Sequence, residues 1–249
     1  MGADLWNSGA CDKWFDGCDE SCRRLAFGVN GPQAEALSRI SSHSDSSCFD
    51  LFRFGAPLYG DLPLSGNGVP CSHPTPASPE VLQSKALSRN TKLFKRLNND
   101  KFAKQLFDLT VHDAHLGRMT LPTLLRVVSD TCPLNLRFGV EQGINKLDGS
   151  VKIRPVDDFS ASGVNSCCRP LERLSTEGLD RLFLVCRHLV DAGGCVPLLW
   201  KADIDSAYRR IPILMAHRWA ASVVFACEGK VYTSEHIGMP FGATGSLHA

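Results

Sequence analysis

The rhythm of apolar and polar positions changes twice along the 249 residues. Up to about residue 77 no period persists. Ser, Gly and Pro recur in SSHSDSSC and PLSGNGVPCSHPTPASP, which predicts a low-order leader over 1–77, with a linker from 55 to 79. A short helix is expected within it, around Pro32–Ser41. A 3.6-residue period then sets in. Ser78 is suited to cap a helix, with Pro79 at its first position and Glu80 in its first turn. Leu82, Ala86, Leu93 and Leu97 share one face of it. A second helix is predicted from Asp100 to His115, with Phe102, Leu106 and Leu109 on one side. From Leu136 the period drops to two. LRFGVEQ and SVKIRPVD flank Asp148-Gly149 as a hairpin, and SVVFACEGKVYTS folds back at Glu228-Gly229 as another. Between them come a helix over 179–190 and a strand over Pro197–Ala202 that runs out into Asp203. GMPFGATGS reads as a Gly-rich turn opening a helix. The predicted class is α+β, divided into the leader 1–77, a basic helical segment 78–133 and a mixed unit 134–249.

Composition adds exclusions. The hydrophobic fraction of 43% and charged fraction of 21% are those of a globular chain. No apolar run reaches the roughly 18 residues of a bilayer span, so no membrane is expected. MGADLWNSGA lacks a basic start followed by an apolar stretch, so no secretory signal is read. Trp6 stands where a myristoylation signal wants Ser or Thr. Eleven cysteines, an odd number at irregular spacing, point to free thiols and an intracellular, reducing setting. Cys11, Cys18 and Cys22 could form a zinc site, although no CxxC or histidine pair supports one. His112 and His115 could bind a metal or simply face solvent.

Charge is uneven. Residues 1–50 carry eight acids against four bases, while 78–249 carry a net of +5. Lys85, Arg89, Lys92, Lys95, Arg96, Lys101 and Lys104 crowd the two helices, either as a solvated face or as a polyanion contact.

Three stretches could carry chemistry. In KADIDSAYRRIPI, Asp203 ends an apolar run, where a carboxylate serves as a magnesium ligand or as a helix cap; Asp205 suits the cap. In KIRPVDDFS, Lys152 and Arg154 project from one strand face, and the Arg fork suits phosphate oxygens. Pro155 fits only a sheet edge or end. In MPFGATGS, Gly242 and Gly245 let the backbone approach something closely. No GxxxxGK[ST] occurs, which excludes a Walker-type cradle.

In this order the three stretches resemble the reverse transcriptase family. KIRPVDDFSASGVN resembles its fingers segment, WKADIDSAYRRIPI its first palm motif and HIGMPFGATGS its second. The resemblance covers about residues 134–249. It implies the fingers and partial palm of a right-hand polymerase, with preceding helices. It assigns Asp203 and the Ile204 carbonyl to a Mg2+ (or Mn2+) ion, and Arg154 with Lys152 to the triphosphate. It places Tyr208 under the sugar as a barrier to a 2′-hydroxyl, and Phe241 and Gly242 as the floor of the site. Asp158 and Phe159 are read as packing and turn residues. The implied partners are an RNA template, a DNA primer and dNTPs.

The family's later aromatic-x-Asp-Asp hairpin has no counterpart in these residues, and Asp157-Asp158 lie in the wrong segment to replace it. The resemblance therefore implies a truncated retroelement product or incomplete gene model, inactive by itself. Two alternatives stand beside it. One is a non-catalytic nucleic-acid-binding remnant. The other is a palm-type RNA polymerase, against which Tyr208 argues, because RNA-synthesising relatives use a hydrogen-bonding residue there.

Overall fold

The computed structural model describes residues 12–26, 29–41, 48–64, 68–97, 100–145, 149–173, 178–194, 196–199 and 206–247. Its centre is a mixed five-stranded sheet. The strands β3 (Thr123–Leu124), β4 (Asn135–Ile144), β5 (Val151–Asp158), β8 (Ser222–Cys227) and β9 (Lys230–Glu235) lie in the order β3-β9-β8-β4-β5. Two antiparallel hairpins, β4–β5 and β8–β9, are joined by the parallel pair β4–β8. The predicted turn at Glu228-Gly229 is present. Both residues adopt positive φ (51° and 72°), the conformation of the two-residue hairpin turn whose twist matches the strands. Of the other turn, Asp148 lies outside the described residues. Gly149 adopts φ 71° and bonds back to Asn145 O at 2.9 Å.

The helices follow their signals closely. Ser78 accepts from the Val81 N–H and Pro79 opens α4 (Pro79–Ser84), after α1 (Glu20–Leu25), α2 (Gly31–Ile40) and α3 (Cys48–Phe54). The expected single helix after Ser78 is interrupted at Lys85, and α5 (Ala86–Arg96) continues it. Asn90 on α5 is buried and bonds Ser129 O, Cys132 O and the Leu134 N–H, each at 2.9 Å. α6 (Ala103–His115) lies across the sheet. Its Leu106 is fully buried, and the Phe107 ring meets Tyr232 edge-on at 4.9 Å.

The segment 1–77 differs from the expected low-order leader. Besides α2, which matches the expected helix, it contributes α1 and α3 and inserts Ala56, Leu58 and Tyr59 into the main core. These residues pack with Leu82, Phe159, Val164, Ile213 and Met239. The contributions are single residues at irregular spacing, so they leave no period to read. Tyr59 stacks on His217 at 3.8 Å and accepts a hydrogen bond from Trp219 Nε1 at 3.0 Å. Two-residue ladders complete the attachment: β1 (Gly60–Asp61) with β6 (Cys168–Arg169), and β2 (Val69–Pro70) with β7 (Glu172–Arg173).

The helix expected over 179–190 is α7 (Leu179–Gly193). It ends at Gly194, which takes the left-handed conformation with φ 66°. Residues 196–199 are not a strand, and the remainder of the Pro197–Ala202 expectation lies outside the described residues. α7 buries none of its residues, and Leu179 (72%), Phe183 (71%) and Leu184 (62%) are largely exposed. No helix among the described residues is long and apolar enough to cross a membrane.

An apolar surface of this extent drives self-association. Replacing Leu182 and Phe183 by Lys should raise the concentration at which the chain stays monodisperse in size-exclusion chromatography. Its stability should stay within about 0.5 kcal/mol, as for surface changes elsewhere.

Candidate functional site

The polar centre of the fold is a buried charge cluster. Arg137 on β4 is 1% exposed and Asp157 on β5 is 3% exposed. They face one another across the hairpin in register, and Arg137 Nη1 donates to both Asp157 oxygens at 3.1 Å. His236, fully buried just beyond β9, closes on Asp157 Oδ2 at 2.8 Å. Asp113 of α6 meets Arg209 at 2.9 Å, Arg137 at 3.5 Å and Arg118 at 3.7 Å.

Burial alone would raise the Asp157 pKa, but Arg137 and His236 overcome it and hold the group at about 2, below the ordinary 3.8. Burial pulls His236 below its ordinary 6.5, only partly opposed by Asp157. His236 is therefore neutral, and its contact with Asp157 is a hydrogen bond from Nε2–H rather than an ion pair. Asp158 has a separate task. Its Oδ1 accepts from the Ser160 and Ala161 N–H groups (3.1 and 2.8 Å) and shapes the turn after β5.

This cluster holds the residues of the sequence motifs. Arg209 anchors the short 3₁₀ turn Ala207–Arg210, which carries Tyr208. The Tyr208 ring meets Phe241 edge-on, with centroids 5.8 Å apart and planes at 74°. On the other side, the Arg154 guanidinium lies 5.8 Å from the Phe241 centroid, within reach of a cation–π contact. With its amide oxygen turned toward Arg154, Gln142 accepts from Nη2 and Nε at 2.6 and 2.7 Å. Three segments far apart in sequence thus bring Arg154, Tyr208 and Phe241 to one corner. Tyr208, Phe241, Gly242, Ala243, Thr244 and Ser246 line a cavity of about 210 Å³ there. That is smaller than the roughly 300 Å³ at which ligand pockets begin, so it would seat part of a ligand only.

Lys152 does not join this corner. It lines a larger groove of about 710 Å³ between α6 and the β4–β5 hairpin, with Gln105, Leu109, Ile144 and Val151. The glycines of MPFGATGS do allow close approaches, but to the chain's own backbone. A Cβ on Gly242 (φ 101°) would fall 2.3 Å from Asp157 O, and one on Gly245 would fall 2.7 Å from Pro57 O. The turn opens a short 3₁₀ helix, Thr244–Leu247, within the described residues.

Asn165, present in the KIRPVDDFSASGVN motif but given no role there, ties the corner together. Its Nδ2 donates to Ser160 Oγ (2.9 Å) and Gly242 O (3.0 Å), and its Oδ1 accepts from the Thr244 N–H (2.9 Å). Arg137, Arg209 and His236 were missed as well. They are charged or titratable residues at positions where the pattern demands burial, and that mismatch is the only signal the sequence carries.

Asp203, Ile204 and Asp205 lie outside the described residues, as does Cys11 of the considered zinc site. Among the described residues no three His, Cys, Asp or Glu side chains stand together as a metal site. Cys22 is buried, with its Sγ 3.5 Å from Arg218 Nη2. His112 and His115 sit exposed on α6.

Both shifted groups bind protons more readily in the unfolded chain, so acid destabilises the fold. The His236 contribution is full above pH 6.5 and should fade as pH drops below it. The Asp157 contribution is full above 3.8 and should fade toward 2. Urea midpoints measured from pH 8 to 3 should fall monotonically; a rise on acidification would contradict the assignment. Arg137→Leu leaves the Asp157 charge buried without its ion-pair cation and should cost about 3–5 kcal/mol. Gly242→Ala should cost at least ~1–2 kcal/mol from its backbone conformation alone, read in the same denaturation series.

The chain matches no protein-family model, no curated protein and no solved structure.

Proposed function

We propose that residues 134–249 form the nucleotide-facing fingers and first part of the palm of a reverse transcriptase-like, RNA-directed DNA polymerase. The observation that carries this reading is the meeting of Arg154, Tyr208 and Phe241. Each comes from a different one of the three stretches that resemble the family, and nothing in the spacing of the stretches requires them to meet.

In this reading the Arg154 fork binds the triphosphate of a dNTP, two parallel N–H bonds matching its oxygens. The flat side of the sugar rests on Tyr208, whose ring leaves no room for a 2′-hydroxyl. Phe241 supports both: its edge fixes the Tyr208 ring and its face attracts the Arg154 cation. Asn165 keeps the Gly242 turn at a constant distance from the fingers turn, so the corner is organised before substrate arrives. Magnesium or manganese would be held by Asp203 and the Ile204 carbonyl and would neutralise phosphate charge. The described residues supply no carboxylate cluster to join them, since Asp157 is occupied by Arg137 and His236.

The test is nucleotide binding. A fluorescent dNTP should bind the purified chain, and Arg154→Ala or Phe241→Ala should each weaken it about tenfold, the loss of one charge-assisted contact. Tyr208→Ala should narrow the preference for dNTP over NTP. Binding indifferent to both Arg154 and Phe241 would remove the basis of the reading.

A further inference from the structure

α5 is the most one-sided charged element among the described residues. Its sequence, ALSRNTKLFKR, contains no acid. Lys85, Arg89, Lys92 and Arg96 recur at i, i+4, i+7 and i+11, so they form one stripe about 16 Å long. Buried Asn90 fastens the opposite face to the loop 129–134, which turns the stripe outward. Lys85, Lys92, Lys95 and Arg96 are all exposed, and among the described residues none of the four has an ion-pair partner. This is unlike many other surface cations here. Arg23 meets Asp12, Arg39 meets Glu35, Lys101 meets Glu141, Lys104 meets Asp108 and Arg187 meets Asp191.

The stripe also borders a groove. Between α5 and the β4–β5 hairpin, Lys92 and Arg96 line, together with Leu93, Leu136 and Ala161, a space of about 150 Å³. A cavity of that volume takes a benzene-sized ring. Asp158 reaches the same groove, but its Oδ1 is engaged by the backbone of the following turn. Arg89 fixes the groove's far wall. It donates to Ser162 O at 2.9 Å and lies so close over Gly163 that a Cβ there would be 2.3 Å from Nη1. The same turn carries Asn165, which holds the Gly242 corner.

We infer that α5 is the docking surface for a single nucleic-acid strand: phosphates along Lys85, Lys92, Lys95 and Arg96, and one unstacked base or sugar in the Leu93–Leu136 groove. Cations over an apolar slot match a strand with a charged backbone and planar, weakly polar bases. Fully paired duplex offers no free ring for the slot. The inference deepens the proposed function by naming where its template or primer strand lies; it rests on that reading only for the strand's role.

The experiment is anisotropy of a labelled single-stranded oligonucleotide against salt, with the full chain. Single strands release counterions worth a slope of about −0.7 per phosphate contact, so four cations predict a log–log slope of roughly −3. The double variant Lys92→Gln/Arg96→Gln should reduce it by roughly 1.4. Lys92→Arg/Arg96→Lys should keep the wild-type slope, which separates charge from misfolding. An abasic oligonucleotide of the same length should bind about tenfold more weakly with the same slope. An unchanged slope in the Gln variant, loss of binding in the charge-keeping variant, equal binding of the abasic strand, or no strand binding at all would each overturn the inference. Failure here is distinct from failure of the nucleotide site. The Gln variant should bind the fluorescent dNTP normally, and Arg154→Ala should bind the oligonucleotide normally.

Discussion

The buried ion pair between Arg137 and Asp157 is the constraint on which the rest of the structure depends. Its value is not mainly stabilising energy, because taking two charges out of water costs about as much as their attraction returns. What it supplies is uniqueness. A shift of one residue in the β4–β5 register would separate the two buried charges. It would also turn every side chain of the hairpin to the other face. Once the register is set, Asp157 has one oxygen for His236 and its backbone carbonyl for the Gly242 turn. Asp113, brought in by α6, is shared among Arg137, Arg118 and Arg209. Tyr208 therefore stands where it does because its neighbour Arg209 is part of the same charge balance as the hairpin that carries Arg154.

Local physics wrote most of the secondary structure into the sequence. Ser78-Pro79-Glu80 begins a helix wherever it is placed, and Glu228-Gly229 between two alternating runs makes a hairpin with little help from the rest of the chain. The first 77 residues were harder to read because their contribution is tertiary. Ala56, Leu58 and Tyr59 form no period; their burial depends on Ile213 and His217, more than 150 positions away. Register in such cases is a property of the assembled surface, and no window of neighbours encodes it.

The same division applies to the site. Arg154, Tyr208, Phe241 and Gly242 could be picked out because each stretch is unusual by itself. Their support could not be. Gly242 reads as a residue that lets the backbone approach something closely, and the structure fills that space with the carbonyl of Asp157. Arg137, Arg209 and His236 interrupt otherwise apolar patterns, and read singly they count as noise. Only when the elements are placed side by side do these interruptions fall beside Asp157 and Asp113, which neutralise the two arginines and engage the histidine.

The irregularity in the β4–β5 ladder has a mechanical consequence. Between Glu141 and Gly143 the pairing slips, and Gly143 takes φ 125°, a conformation open to glycine. Arg154 pairs opposite Val140 on the inner side of that slip; Lys152 pairs opposite Gly143 on the outer side. The hairpin thus has two arms, one on each side of the slip. Its inner arm is bolted to the sheet through Asp157 and to the Gly242 turn through Asn165. Among the described residues its outer arm meets α6 through Gln105, which donates to Val151 O at 3.5 Å. Two cations two residues apart thus keep different company: Arg154 lies against Phe241 and Gln142, and Lys152 lines the groove beside α6.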